Sequence, residues 1–302
     1  MAKILETRRL TPVTKFFRLD APLIAASARP GQFVMLRVRD GGERIPITIA
    51  DYDRAAGTLV LVVQDVGATT HRVCALEAGE EILDVAGPLG GHIDIPAGGH
   101  VCGIGGGFGS AALLCLMREL SARGDRTTAL LGARNKELLI LADELRPVCA
   151  NVEVCTDDGS AGFKGFVTQR LAQLIAGDGP GKPDHAVAIG PMAMMRAVAE
   201  TTRGTGVKTL VSMDPLMVDG TGMCGGCRVT VGGKARFACV DGPCFDAHEV
   251  DFDVAMRRNK QYAREEKQAY DRLTCMDTPR HSREDMARHS REGGNPIAKE
   301  AV

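Results

Sequence analysis

Four cysteines and an aspartate crowd one short stretch of the chain: Asp219, Cys224, Cys227, Cys239 and Cys244. The first four are spaced Asp-x4-Cys-x2-Cys-x11-Cys, and Cys244 follows five residues later. A [2Fe–2S] site of the plant type uses C-x4-C-x2-C and a more distant fourth cysteine. That spacing is kept here with a carboxylate in the first position. Sulfide-bridged iron favours soft, electron-rich thiolates, and a carboxylate is a harder but competent ligand. Gly220, Gly222, Gly225 and Gly226 surround these residues. They let the backbone fold tightly and aim N–H groups at sulfur. Asp219 has the spacing of the remaining ligand, and Cys244 is the other candidate. A structural Cys3Asp zinc site is the competing chemistry. Zinc ribbons pair two C-x2-C knuckles, however, and only one is present.

A second group of residues suits phosphate binding. Gly103-x-Gly105-Gly106-Gly107-x-Gly109 follows the apolar run Val101–Ile104 and precedes Ser110–Ala122, which reads as a helix. Strand, glycine loop and helix together form the context of a phosphate cradle. The strict G-x-G-x-x-G is not met, because Phe108 takes its last position. No lysine follows to make a nucleoside-triphosphate loop. Thr156-Asp157-Asp158-Gly159 and Gly190-Pro191-Met192 end later strands, where α/β sheets bind ligands. Together the three loops make a coherent dinucleotide site. Singly, the Asp pair is a solvated turn, and Met192, Met194 and Met195 are helix packing. Arg134 and Lys136 follow a strand and suit either a 2′-phosphate or solvent. Nearer the N-terminus, Arg44-Ile45-Pro46-Ile47-Thr48 offers a guanidinium for a flavin phosphate and a hydroxyl for the ring edge. Gly67-Ala68-Thr69-Thr70 precedes a short helix at 71–76 and offers N–H groups to a pyrophosphate. Each of these is common in any β domain.

The elements that must position these groups fall into four segments. Residues 1–97 read as all-β, with runs at Phe16–Leu19, Gln32–Val38, Ile45–Ala50 and Thr58–Gln64 broken by Pro and Gly. Residues 98–212 alternate strands (Val101–Ile104, Thr127–Gly132, Val152–Thr156, Ala186–Ile189, Thr209–Ser212) with helices (Phe166–Ala176, Met192–Thr201), which predicts a parallel α/β sheet. Residues 213–254 form a small metal-binding module with short strands at Arg228–Val231 and Arg236–Ala238. From Ala255 to 302 the chain is charged, poor in apolar residues, and expected to be disordered. His281-Ser-Arg-Glu recurs there at His289.

The whole chain has 302 residues, 44% hydrophobic and 25% charged, with a formal net charge of −1. That near-neutral balance gives no electrostatic case for nucleic acid or an anionic membrane as partner. No apolar run approaches the ~20 residues that span a bilayer. Met1–Leu10 lacks the apolar core of a secretory leader, so the cytoplasm is expected. Cys74, Cys102, Cys115, Cys149, Cys155 and Cys275 are scattered, mostly in apolar stretches, and read as small buried hydrophobes.

The order of these signals resembles the ferredoxin-reductase-like electron-transfer subunits. Within that group the chain is similar to the dihydroorotate dehydrogenase electron-transfer subunits, and more so to the small subunits of NADH-dependent ferredoxin–NADP oxidoreductases, also known as sulfide dehydrogenase subunits. Asp214-Pro-Leu-Met-Val-Asp219-Gly-Thr-Gly-Met-Cys224-Gly-Gly-Cys227-Arg-Val-Thr-Val and Phe237-Ala-Cys239-Val-Asp-Gly-Pro carry the likeness, which spans about residues 1–255. Asp at 219 separates this branch from the dihydroorotate branch, which has Cys there. The resemblance implies an N-terminal antiparallel Greek-key β-barrel holding FAD, contacted by Arg44, Pro46, Ile47 and Thr48, with Val62, Val63, Gln64, Gly67, Thr69 and Thr70 nearby. It implies NAD(H) or NADP(H) on Gly105, Gly106, Gly107 and Gly109, on Thr156, Asp157, Asp158 and Gly159, and on Gly190, Pro191 and Met192. It also implies a [2Fe–2S] cluster on Asp219, Cys224, Cys227 and Cys239, and a larger flavin/iron–sulfur partner that reaches ferredoxin and performs flavin-based bifurcation. Phe108 and Ser110 depart from the smaller or aliphatic residues expected in the glycine loop, and Cys244 from an expected acid.

No Ser/His/Asp, Cys/His or paired-carboxylate constellation is present, so the protein's own work is positioning. The rival readings are a dihydroorotate dehydrogenase subunit, a hydrogenase-associated diaphorase subunit, and a non-enzymatic zinc or iron redox sensor.

Overall fold

The structure, a computed structural model, describes residues 1–277. The N-terminal part contains β1 (Ala2–Thr11), β2 (Thr14–Asp20), α1 (Pro22–Ser27), β3 (Phe33–Arg37), β4 (Ile45–Asp53), β5 (Thr58–Gln64), α2 (Ala68–Ala75), β6 (Glu81–Ile82) and β7 (Asp84–Leu89). Its strands pair antiparallel in the order β6-β1-β2-β5-β4-β3-β7 and curl into a nearly closed barrel. Strand β5 shows why this sheet forms. Successive side chains point to opposite faces, and here both faces are buried. Leu59, Leu61 and Val63 fill the barrel. Val60 and Val62 face outward and pack with Ala111, Ile140 and Leu141 of the next domain. Strands β1, β6 and β7 carry weaker alternation and do not stand out in the sequence.

The α/β part runs β8 (His100–Gly106), α3 (Leu113–Ala122), β9 (Arg126–Ala133), α4 (Ala142–Leu145), β10 (Asn151–Thr156), β11 (Phe163–Lys164), α5 (Val167–Ile175), β12 (His185–Ile189), α6 (Met192–Thr202) and β13 (Lys208–Ser212). These strands are parallel, in the order β11-β10-β9-β8-β12-β13. Helices α5 and α6 cover one face with Leu171, Leu174, Met195 and Val198. Helices α3 and α4 cover the other with Leu113, Leu116, Leu120 and Leu145. Helix α3 also meets the barrel. The Tyr52 hydroxyl donates to Glu119 at 3.0 Å, Arg118 pairs with Asp51, and Arg8 pairs with Glu144 of α4 at 2.7 Å.

The C-terminal part holds the hairpin β14 (Arg228–Val231) and β15 (Lys234–Phe237), then α7 (Ala238–Asp241), β16 (Cys244–Asp246) and α8 (Phe252–Asn259). Gly232 and Gly233 turn the hairpin with φ of +57° and +72°, the left-handed pair that a two-residue type I′ turn needs. Strand β16 returns to the α/β sheet and pairs antiparallel with β13, Phe245 against Val211. The sheet is therefore mixed rather than wholly parallel. The sequence shows no sign of this, because three residues are too few for periodicity to register.

The expectation of disorder from Ala255 onward fails for the described residues. Helix α8 runs through that point, capped by Asp251, which accepts the Val254 N–H at 2.9 Å. Phe252 and Ala255 are buried with the core beneath α6. Arg258 donates to the Gly226 carbonyl, and Asn259 to that of Asp214, each at 3.3 Å. A separate unit beyond residue 261 contains α9 (Ala263–Asp277), with a Lys267–Asp271 pair one turn apart at 2.8 Å. Low apolar content does not forbid helix where Ala, Glu, Lys, Arg and Gln predominate. The His281 and His289 repeats lie outside the described residues. Ala255 is 3% exposed, so Ala255→Asp buries an unpaired charge and is expected to lower stability by about 1–3 kcal/mol or more. A urea unfolding midpoint checks this, and an unchanged midpoint would mean the chain is not packed there.

Candidate functional site

A cavity of about 940 Å³ opens between the barrel and the carboxyl ends of the parallel strands. Phe33, Pro46, Ile47, Thr48, Val62 and Gln64 form its barrel wall. The sheet side is formed by Gly106, Gly107 and Gly109 after β8, by Arg134 and Asp157 after β9 and β10, and by Gly190 and Pro191 after β12. Met213, Asp214, Met217 and Pro243 close the end nearest the cysteines. The structure thus brings Pro46, Ile47, Thr48, Val62 and Gln64 together with Gly106, Gly107, Gly109, Asp157, Gly190 and Pro191.

The glycine stretch is not a free loop. Gly105 and Gly106 end β8, and residues 107–112 form a 3-10 turn leading into α3. Two glycines there have distinct reasons. Gly109 sits against the end of β12, where an added Cβ would lie 2.2 Å from the Ile189 carbonyl oxygen. Gly107 has φ of +52° with nothing within 4 Å of an added Cβ. It lines the cavity as bare backbone beside open space, a cradle that a side chain would fill. Ser110 is buried under Gly105, and Phe108 lines the cavity.

The remaining expected residues lie around this space. Arg44 lines a separate cavity of about 280 Å³ with Arg37, Met35 and Asp84. Val63 points into the barrel core, opposite to Val62. Gly67 caps α2, and its N–H donates to the Thr70 hydroxyl at 2.9 Å, while Thr69 donates to Glu43 at 2.5 Å. Thr156 is fully buried, and its hydroxyl donates to the Ala161 carbonyl at 2.7 Å. The Ser160 hydroxyl donates to Asp158 at 2.6 Å and holds that carboxyl below the usual carboxylate range. Gly105 lies inside β8, Gly159 turns the chain after β10, and Met192 begins α6 and packs on the core. Residue types alone did not single out Phe33, Phe166, Asp214, Met217 or Pro243 as cavity walls. Phe166 carried a faint signal, an aromatic directly after Gly165 at a helix start, and the structure leaves it exposed.

In the cysteine loop, Cys227 and Cys239 are each 1% exposed with their sulfurs 3.2 Å apart. Burial, with the Cys227 thiol beside it, pushes the Cys239 thiol up from its ordinary value. Cys224 is exposed. N–H groups point at these sulfurs: Gly226 donates to Cys224 Sγ at 3.4 Å and Cys239 to Cys227 Sγ at 3.5 Å. Asp219 accepts N–H bonds from Thr221 (3.0 Å), Met223 (3.0 Å) and Cys224 (2.8 Å). The Thr221 N–H foremost, with the Cys224 and Met223 N–H groups, holds its carboxyl below the usual range. Among the described residues, no three His, Cys, Asp or Glu side chains already converge on one point. The donor set still fits a cluster: an anionic carboxylate and two cysteines on one glycine-rich loop, with the third, Cys239 of α7, brought back beside Cys227 by the β14–β15 hairpin, and with sulfur already receiving N–H bonds. Cys244 does not fit. It lies on β16 against the core beneath α3, whereas Cys227 and Cys239 belong to the core on the opposite face of the sheet.

Cavity and cysteines share a wall. Met213 and Met217 line the cavity and pack in the same buried cluster as Cys227 and Cys239, together with Phe33 and Met35 of β3. The loop is pressed onto the barrel, for a Cβ on Gly220 would lie 2.8 Å from Met35 Cγ.

Comparison with known proteins agrees with this geometry. Residues 214–251 match the family model of the iron–sulfur cluster binding domain of dihydroorotate dehydrogenase B. A homologue of the dihydroorotate dehydrogenase B (NAD+) electron-transfer subunit from Thermotoga maritima is 45% identical over 257 residues, 85% of this chain and 90% of that one. A probable subunit of the same name from Methanocaldococcus jannaschii is 33% identical over 252 residues, 83% of this chain and 91% of that one. A chain in the structure of the NADH-dependent reduced ferredoxin–NADP oxidoreductase, solved for its flavin-based electron bifurcation, superposes with a TM-score of 0.85 at 41% identity. The match covers 91% of this chain and 98% of that one. The chain belongs to the family of dihydroorotate dehydrogenase B electron-transfer subunits and their homologues.

Proposed function

We propose that this chain is the electron-transfer subunit of a heterodimeric oxidoreductase, carrying electrons between NADH and a larger flavin- and iron–sulfur-containing partner of the ferredoxin–NADP oxidoreductase type. One observation carries the reading: Met213 and Met217 line the dinucleotide-sized cavity and belong to the same buried cluster as the cysteine pair. Bound FAD would supply a hydride acceptor and a bound [2Fe–2S] cluster would supply single-electron transfer. The chain's own residues hold and orient. Pro46, Ile47, Thr48, Val62 and Gln64 offer a flavin wall on a barrel we read as a Greek key, with Arg44, Gly67, Thr69 and Thr70 at its margin; Val63, turned into the barrel core, supports that wall from behind and does not touch the flavin. Asp219, Cys224, Cys227 and Cys239 supply the cluster ligands. Gly105–Gly107, Gly109 and Gly190–Met192 carry the dinucleotide backbone. Thr156–Gly159 lie at its adenosine end, where Asp157 offers a carboxylate to a ribose hydroxyl beside Arg134, and the Asp158 carboxylate, held by Ser160, shapes the turn.

The cysteine loop also presents an apolar rim. Leu216, Val218 and Val240 are exposed beside it, and Met223 is 89% exposed. Such a rim around an electron exit suits a protein partner, and ferredoxin would be reached through that partner. A cytoplasmic location belongs to the same reading. The second reading, a dihydroorotate-oxidising partner, is supported by the names of the relatives and opposed by Asp at 219 in place of Cys.

Anaerobic purification of the tagged chain tests the reading. Stoichiometric FAD and a larger flavoprotein other than dihydroorotate dehydrogenase are expected. A dihydroorotate dehydrogenase in that place would move the assignment to pyrimidine synthesis, and absence of flavin would end it. Cys227→Ser is expected to remove most of the iron and the cluster's electron paramagnetic resonance signal. Asp219→Cys should keep the iron and shift the signal, and an unchanged signal would mean that Asp219 is not a ligand. Gly107→Val places a side chain in the cavity on left-handed backbone that costs about 1–2 kcal/mol. It should weaken NAD+ binding about tenfold or more by calorimetry while sparing FAD content.

A further inference from the structure

The cavity has a carboxylate at each end. Asp157 follows β10, and Asp214 lies two residues past β13. Along the sheet order β10-β9-β8-β12-β13 these ends are four strand steps apart, about 19 Å at the usual strand spacing. That span is comparable to an extended dinucleotide. With adenosine at Asp157 and Arg134 and the pyrophosphate on Gly106–Gly107, the nicotinamide reaches β12 and β13. There Pro191, Ser212, Asp214 and Pro243 wall the cavity.

The nicotinamide end brings a carboxamide into this wall, and its two N–H donors need acceptors once water is displaced. Met213, Met217 and Pro243 supply none from their side chains. The other charged residues lining the cavity, Arg134 and Asp157, stand at the far end. Asp214 is solvent-exposed where it lines the cavity, so a ligand entering there meets its carboxylate directly, and the partial screening from water by its neighbours raises its pKa to about 6. Its backbone carbonyl is tied down by Asn259 at 3.3 Å. Among the described residues no other residue's donor reaches its carboxylate. The carboxylate is thus anchored by its backbone, ionised for the most part at neutral pH, and unspent.

We propose that Asp214 is the residue that reads the nicotinamide end, its carboxylate accepting the carboxamide N–H2 and holding the ring toward the barrel wall at Thr48 and Val62. The proposal rests on the dinucleotide reading given above and extends it to a specificity: a ligand bearing a carboxylate in place of the carboxamide loses the bond and meets a like charge.

Calorimetric titration of the full-length, flavin- and cluster-loaded protein with NAD+ and with nicotinic acid adenine dinucleotide tests this at neutral pH. The unsubstituted protein is expected to prefer NAD+ by about 30-fold or more, the scale of a hydrogen bond to a charged group. Asp214→Asn, whose amide serves either ligand, should bring the preference within about threefold. Asp214→Ala should weaken NAD+ about tenfold. Equal affinities in the unsubstituted protein, or an undiminished preference in Asp214→Asn, overturns the role of Asp214 while leaving dinucleotide binding intact. Failure of the unsubstituted protein to bind NAD+ overturns the dinucleotide reading itself.

Discussion

The Gly91 N–H donates to the Gly242 carbonyl at 2.6 Å, and the site depends on the close approach of these two loops. One leaves the barrel and the other leaves the cysteine module. Only small residues meet this closely: a Cβ on Gly90 would lie 2.9 Å from the Phe33 ring and 3.0 Å from Pro243. Pro243 in turn accepts the Met213 N–H at 2.9 Å, at the exit of β13. Barrel, sheet and module therefore meet within a few residues, and the cavity and buried sulfurs lie on either side of that junction. A dense apolar contact of this kind resists small displacements, as a fixed spacing between two redox groups requires.

The barrel is joined to the sheet elsewhere by different means. Along α3 the contacts are polar and partly exposed: Tyr52 with Glu119, Asp51 with Arg118, Arg8 with Glu144. Surface pairs of this kind contribute little individually. The outward valines of β5, packed on Ala111 and Ile140, are the apolar part of that seam. The division suits a cleft that admits a ligand. Its rigid side faces the sulfurs, and its more yielding side faces solvent.

How far the sequence discloses this varies by element. β5 and β14 carry the observed bounds in their residue types, because runs of Val, Thr and Leu stop at Gln64 and Gly232. The cysteine spacing points to Cys227 and Cys239 as neighbours, and the fold places them so. The sequence is silent on β16, on α8 as part of the module, and on Asp214 and Met217 as cavity walls. Each depends on tertiary contact: β16 is defined by β13 beneath it, and α8 by the backbone carbonyls of Gly226 and Asp214. Cys244 shows the converse. Proximity in sequence made it a rival ligand, whereas strand pairing carries it to the other face of the sheet. Composition also misjudged residues 255–277, because charge density measures solvation and not helix propensity.

The antiparallel strand β16 has a consequence for how the chain comes together. Until Cys244–Asp246 leave the ribosome, β13 is a sheet edge with open N–H and C=O groups, the kind of surface that recruits foreign strands. The opposite edge is protected by its brevity, since β11 has two residues. The metal-binding module thus doubles as an edge guard, and the central sheet is finished only after the segment destined for iron has been made. A truncated form lacking that segment would lose more than its electron outlet: it would expose a sticky border, and aggregation rather than a soluble flavoprotein fragment is the natural fate of such a chain.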